Sequence, residues 1–157
     1  MLGPCINASG RLDTAARSLA LLNAKTKEEA ARLAGDLTAL NQSRKALTEK
    51  GKEEAIRIIE TTELKNDRVL VVYLPDCHES LAGIIAGRIR EKYHRPAFVL
   101  TGGETSAKGS GRSIESYSMY EELVKCADLM IQFGGHPMAA GLSIDCLLYT
   151  SPSPRDL

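Results

Sequence analysis

Residues 68–101 read RVLVVYLPDCHESLAGIIAGRIREKYHRPAFVLT. The opening run, residues 68–74, is apolar and rich in β-branched side chains, which predicts a buried strand. Residues 79–93 follow, with Leu81, Ile84, Ile85 and Ile89 falling on one face of a helix. Pro96 then opens a second strand over residues 97–101. Strand, helix and strand in this order predict an α/β fold.

Working outward toward the C-terminus, residues 102–105 read as a turn and residues 108–114 as a strand broken by glycines. Ser118-Met119-Tyr120-Glu121 fits a capping box, and starts a helix predicted to run to about Ala127. Residues 129–133 form a third apolar strand that delivers Gly134-Gly135-His136, and Leu142-Ser143-Ile144 a further one. Working toward the N-terminus, residues 27–62 carry apolar or small side chains at Ala30, Leu33, Leu37, Leu40 and Leu47, spaced by three, four and seven. A continuous helix of that length would reach about 54 Å, too long for one small core. It reads as a helix joining two bodies, with Gly35 and Gly51 as its weak points. From Asp13 the chain is helical, with Leu19 and Leu22, whereas residues 3–11 (GPCINASGR) read as a glycine-rich loop. A chain that opens within such a loop reads as cut. At the other end, residues 146–157 (CLLYTSPSPRDL) hold two X-Pro units that continue neither sheet nor helix. That tail reads as non-native, adapter-like sequence, and is set aside.

Composition narrows the function classes. The 157 residues hold 20 Lys and Arg against 20 Asp and Glu, so the net charge is zero and wholesale nucleic-acid binding through a basic surface is not expected. With no Trp and 4% aromatics, a platform stacking several bases is not expected either. An apolar fraction of 43% with 25% charged residues is that of a soluble domain. Cys5, Cys77, Cys126 and Cys146 form no CxxC pair, and the N-terminus lacks a secretion signal, so reduced thiols in a cytoplasmic protein are expected. No apolar run approaches the roughly 20 residues that span a bilayer, so no membrane partner is expected.

Four places could carry chemistry. In Lys108-Gly109-Ser110-Gly111-Arg112-Ser113, two glycines let a ligand approach the backbone, successive amides could form an anion-binding nest, and Arg112 offers a fork suited to phosphate. The alternative is a kinked strand with a solvated arginine; the Walker order, Gly-Lys-Ser/Thr, is not met. In residues 134–141 (GGHPMAAG), paired glycines after a strand allow a sharp turn, and the small residues after Pro137 allow a closely packed helix. His136 could donate to a phosphate or carry a proton. Asp76-Cys77-His78-Glu79 holds four metal-ligating types, but adjacent residues cannot all face one ion, so Asp76 or His78 reads as a helix cap. Arg11, with Asn7, could meet a phosphate, though a solvated arginine is the default. Arg88, Arg90, Lys92 and Arg95 read as a wet helix face.

Four blocks in order, INASGRLDTA, HESLAGIIAGRIREKYHRPAFVLT, KGSGRS and FGGHPMAAG, resemble the RecJ family across roughly residues 1–145. These are single-stranded-DNA-specific exonucleases of the DHH phosphoesterase superfamily. The resemblance implies a long connecting helix followed by a DHH-associated α/β domain with a mixed sheet. It divides the chain into residues 1–17, the C-terminal edge of a DHH catalytic domain; 18–65, connecting helices; 66–145, the DHH-associated nucleic-acid-binding domain; and 146–157, the tail. It also implies two metal ions, Mn2+ or Mg2+, held by Asp and His side chains of the DHH domain. No Asp-His-His sequence exists here, so those ligands are expected upstream of Met1, no metal is expected on this piece, and the piece alone is expected to be inactive. The metals of the whole protein would activate water against a phosphodiester, releasing nucleotides from the 5′ end.

Carried across by the resemblance, Arg11, Ser110 and Arg112 fall where the family contacts the DNA, its 5′ phosphate included; Asn7 and Ser113 are further candidates for DNA or phosphate contact. Gly134, Gly135 and His136 match a motif facing the catalytic centre, with His136 as an accessory group. One departure removes a positive charge: Cys5 stands where the family usually has Arg. Ser9, where Ala is commoner, looks harmless. The implied role is 5′-to-3′ digestion in DNA repair and recombination, by a monomer. The rivals are a DHH-family enzyme hydrolysing oligonucleotides or cyclic dinucleotides, which the INASGRLDTA block and long helix oppose, and a non-catalytic nucleic-acid-binding module.

Overall fold

The computed structural model describes residues 2–13 and 15–145. The chain divides into two compact units, Met1–Lys50 and Gly51–Leu157, and each is treated by itself. The adapter-like reading of residues 146–157 lies outside the described residues.

The first unit begins with helix α1 (Leu2–Leu12), where a glycine-rich loop is expected from composition. The correction has a physical basis. A methyl placed on Gly3 or Gly10 would meet nothing within 4 Å, and neither has a positive φ, so neither glycine is needed for a turn. Pro4 sits in the first helical turn, where its missing N–H has no partner to lose. Helix α2 (Ala15–Leu22) packs on α1. The two are joined where the buried Ser9 hydroxyl, which donates to the Ile6 carbonyl at 2.9 Å, lies 2.6 Å from the Ser18 hydroxyl.

Helix α3 (Lys27–Thr61) is continuous, and the boundary between the units falls within it. Its start is a cap: the Glu29 amide donates to Thr26 Oγ1 at 3.2 Å, while the Glu29 carboxylate accepts from the Lys25 amide at 3.3 Å. Gly35 is not a break, and Gly51 is a place of close approach. A methyl at Gly51 would lie 2.5 Å from Cδ1 of Ile85.

The second unit is built on a five-stranded sheet in the order β1-β2-β3-β5-β4. Strand β1 (Leu70–Leu74) pairs in parallel with β2 (Ala97–Thr101), across helix α4 (Glu79–Tyr93). Strands β3 (Ser106–Arg112), β4 (Gln132–His136) and β5 (Ala139–Asp145) add antiparallel ladders, so the sheet is mixed as expected. Helix α4 begins at His78, whose Nδ1 accepts the Ser80 amide at 3.2 Å, and ends at His94 in the left-handed conformation, φ 53°. The N-terminal cap is the role expected for that segment.

The two faces of the sheet are covered differently. Helix α4 lies over β2 and β3, and buries Leu81, Ile85 and Ile89 on the side of Leu70, Val72 and Val99. On the opposite face, Phe98 and Ala140 pack with Met119 and Leu123 of helix α5 (Met119–Lys125). Ser118 occupies the N-cap of α5, but the expected capping box is not made: its hydroxyl is buried without a hydrogen-bond partner. The third strand is also displaced from its expected range. Residues 127–129 form a 3₁₀ turn, and β4 takes up Gly134, Gly135 and His136.

Two links tie α4 to the preceding chain. Arg95 donates to the carbonyls of Lys65 and Asp67, at 2.7 and 3.0 Å, and Tyr93 donates to Glu60 Oε1 at 2.6 Å. Arg95 is thus a structural residue and not part of a wet face. Burial, then the hydrogen bond and charge of Glu60, push the Tyr93 phenol up to about 12. Because the raised pKa favours the protonated form in the fold, this link stabilises fully below the ordinary tyrosine pKa of about 10 and is lost as pH rises through about 12. In an ultraviolet titration, the last phenol to ionise should do so near pH 12 in the parent, and earlier in Glu60→Gln.

Candidate nucleic-acid interface

Side chains alternate along β3, and the alternation decides what its glycines do. Lys108, Ser110 and Arg112 take the α4 face, whereas Gly109 and Gly111 take the face of α5. A methyl at Gly109 would lie 2.5 Å from Leu100 Cδ2 and 3.0 Å from Leu142, and one at Gly111 would lie 2.5 Å from Phe98 Cε1. The glycines of KGSGRS therefore make room for apolar core. They form no anion nest, because β3 lies between β2 and β5 and is paired on both sides. β3 is a regular strand with unbroken register against β5, and Arg112 is half-buried rather than solvated.

Helix α4 stops short of β5 and β4, which leaves that half of the sheet open on the α4 side. The result is a cleft of about 580 Å³. Glu79, Ser80 and Ala82 form its helical wall, and Lys108 and Ser110 line it from β3. Its floor joins the bare backbone of Gly134 and Gly141, which pair across β4 and β5, to the neighbouring pair Gln132 and Ser143. A methyl at Gly134 would meet nothing within 4 Å. Across the cleft, Lys108 Nζ and Glu79 Oε2 form an ion pair of 2.7 Å; both are exposed, so the pair adds little stability.

The sequence-predicted residues divide among several places. Ser110 and Gly134 line the cleft; Arg112 does not, but its guanidinium lies behind Ser110 against α4. The Arg112 guanidinium lies against Gly83 of α4, where a methyl would sit 2.6 Å from Nη2 and 3.3 Å from the Ser110 hydroxyl. Arg112 also donates from Nη1 to the Gly111 carbonyl at 2.7 Å. Gly135 serves the backbone: its φ of +154° suits glycine alone, and a methyl there would lie 2.6 Å from Cα of Ala140.

His136 ends β4 on the same face as Gly134 and is exposed, but it does not line the cleft. Its Nδ1 accepts the Met138 amide at 3.3 Å, which leaves Nε2 to carry the proton of the neutral ring. The sharp turn expected at the two glycines instead falls at Pro137-Met138, and β5 stands where a helix was expected.

Ser113 lies apart from the cleft. It is fully buried, and its hydroxyl donates to the Tyr117 carbonyl at 2.6 Å, so it serves the turn into α5 and does not reach the cleft. Asn7 and Arg11 are one helical turn apart on α1, in the first unit. Gly83 was missed by sequence reasoning. Its signal is an AGIIAG repeat that sets Gly83 and Gly87 four residues apart on α4.

Among the described residues, no group of three or more His, Cys, Asp or Glu side chains could hold a metal ion. Burial pushes the Cys77 thiol up, so it rests as the neutral thiol. Among the described residues, no helix is long and apolar enough to cross a membrane.

An α/β domain with a mixed sheet and a backbone-floored cleft is the class that this geometry defines, and residues 66–147 match the DHHA1 domain. The chain belongs to the DHHA1 domain family. It is 42% identical over 152 residues to the single-stranded-DNA-specific exonuclease RecJ of Salmonella typhimurium, and 37% identical over 145 residues to that of Bacillus subtilis. The matches cover 92% and 91% of this chain but 26% and 18% of those proteins, so the chain spans about a quarter or less of the relatives' length. The crystal structure of RecJ from Thermus thermophilus in complex with Mg2+ superposes with a TM-score of 0.82 at 34% identity, covering 93% of this chain and 22% of that one. A RecJ structure bound to manganese gives 0.79 at 34% identity, covering 93% and 36%.

The two kinds of glycine should separate on substitution. Gly111→Ala drives a methyl into Phe98 and should cost about 1–3 kcal/mol. Gly134→Ala, with open space above it, should leave the urea midpoint within error of the parent. A parent-like midpoint for Gly111→Ala would contradict the assignment of faces.

Proposed function

We propose that this chain is the strand-binding portion of a single-stranded-DNA-specific exonuclease, and that the α4-side cleft receives the sugar-phosphate backbone. The observation that carries the reading is the cleft floor: Gly134 and Gly141 leave bare backbone beside Ser110 and Lys108, so a chain can lie flat against the sheet. The Ser110 hydroxyl in the cleft, with the Arg112 guanidinium near it on the α4 side, suits phosphate oxygens. This cradle needs no basic surface, which agrees with a net charge of zero. The DHHA1 match and the similarity to RecJ proteins support the same reading.

In the whole protein, the activity would be 5′-to-3′ hydrolysis of phosphodiester bonds in DNA repair and recombination, in the cytoplasm and by a monomer. Divalent metal, Mn2+ or Mg2+, would supply the hydrolytic chemistry there. Its ligands would belong to a DHH domain outside these residues, and the 157-residue chain alone would not cleave DNA. Residues 1–17 would be the edge of that domain, 18–65 the connection and 66–145 the binding domain. Within that scheme Asn7 and Arg11 would meet DNA from the first unit, and Gly135 and His136 would border the reacting centre.

Fluorescence anisotropy with a 5′-phosphorylated oligothymidylate tests the binding claim on the chain as it stands. Binding should weaken linearly in log–log form as salt rises, by about 0.7 in slope for each phosphate contacted. Arg112→Ala should weaken binding about tenfold and make the slope shallower. Equal binding and equal slope in mutant and parent would remove Arg112 from the interface.

A further inference from the structure

We propose that Gly83 is a positioning residue for Arg112: the missing side chain on α4 forms the notch in which the guanidinium lies beside Ser110. This rests on the cleft's reading as a phosphate-binding site. Helix α4 has 15 residues with glycines at 83 and 87, both in its interior. Interior glycine weakens a helix relative to alanine, so helix stability does not account for them. Neither has a positive φ, so backbone conformation does not require them.

Their surroundings give the reason. A methyl on Gly83 would lie 2.6 Å from Arg112 Nη2, 3.2 Å from Cζ and 3.3 Å from Ser110 Oγ. A methyl on Gly87 would lie 3.9 Å from Arg112 Cγ, an ordinary contact. The side chain of Arg112 thus leaves β3 at the level of Gly87 and ends at the level of Gly83, one turn nearer the N-terminus of α4. That is the end of the helix whose Glu79, Ser80 and Ala82 wall the cleft. A side chain at position 83 would displace the far end of a flexible residue and not the core. The fold would tolerate it, while the fork would leave Ser110.

The test uses the full chain and the 5′-phosphorylated oligothymidylate, with thermal unfolding measured alongside. Five proteins are compared: parent, Gly83→Ala, Gly87→Ala, Arg112→Ala and the Gly83→Ala/Arg112→Ala double variant. Gly83→Ala should lose a factor close to that of Arg112→Ala, with a melting temperature no lower than the parent's. Gly87→Ala should bind as the parent does, and the double variant should bind no more weakly than Arg112→Ala. If Gly83→Ala binds like the parent while Arg112→Ala does not, the notch is irrelevant and the proposal fails alone. If the double variant loses both factors, or Gly83→Ala also melts earlier, Gly83 acts on the fold and not through Arg112. If Arg112→Ala itself binds like the parent, the phosphate reading fails first and takes this proposal with it.

Discussion

Strand β3 has a single register in which it can be built, and the site depends on it. Gly109 and Gly111 lie under Leu100, Leu142 and Phe98, where any side chain would collide with apolar core. Period-two alternation then sends Lys108, Ser110 and Arg112 to the face of α4. A slip of one residue would bury those three polar side chains and expose the glycines, so the register of the core and the chemistry of the cleft are one constraint. The pairing of β3 with β2 on one side and β5 on the other holds that register along the strand.

The second determinant is what α4 leaves uncovered. The helix crosses β2 and β3 and ends its coverage there, so the hairpin of β4 and β5 is sheet with an open face. In most sheets such a face would carry polar side chains. Here Gly134 and Gly141 leave a gap between Gln132 and Ser143 on one side and His136 on the other, and the ion pair of Lys108 with Glu79 lies at the α4 edge. An interface made mostly of backbone and a few directed polar groups suits a ligand recognised by its repeating phosphates and not by its bases.

Much of this was legible in the sequence. The ranges of α4 and β2 follow from apolar periodicity and from His94-Arg95-Pro96, because buried elements with clear punctuation leave little choice. The long helix was legible for the same reason. What composition misread were glycines. Gly3 and Gly10 sit in a helix with no contact to explain them, Gly134 and Gly135 sit in a strand, and Gly109 and Gly111 answer to core packing and not to a ligand. A glycine in a sequence marks a missing side chain, but whether the reason is a turn, a core or a groove depends on neighbours distant along the chain. Gly83 shows this most clearly, since its meaning is carried by Arg112, 29 positions away. Ser113 is the converse case: next to Arg112 in the motif, it faces the core.

Amide chemical-shift mapping of the 157-residue chain with the phosphorylated oligothymidylate tests the central claim most directly. The account predicts that shifts concentrate at Ser80, Ser110, Gly134, Gly141 and Ser143, on the α4 side of the sheet. Shifts centred instead on Tyr120, Val124 and Leu129, or no shifts at a concentration where anisotropy reports binding, would contradict it.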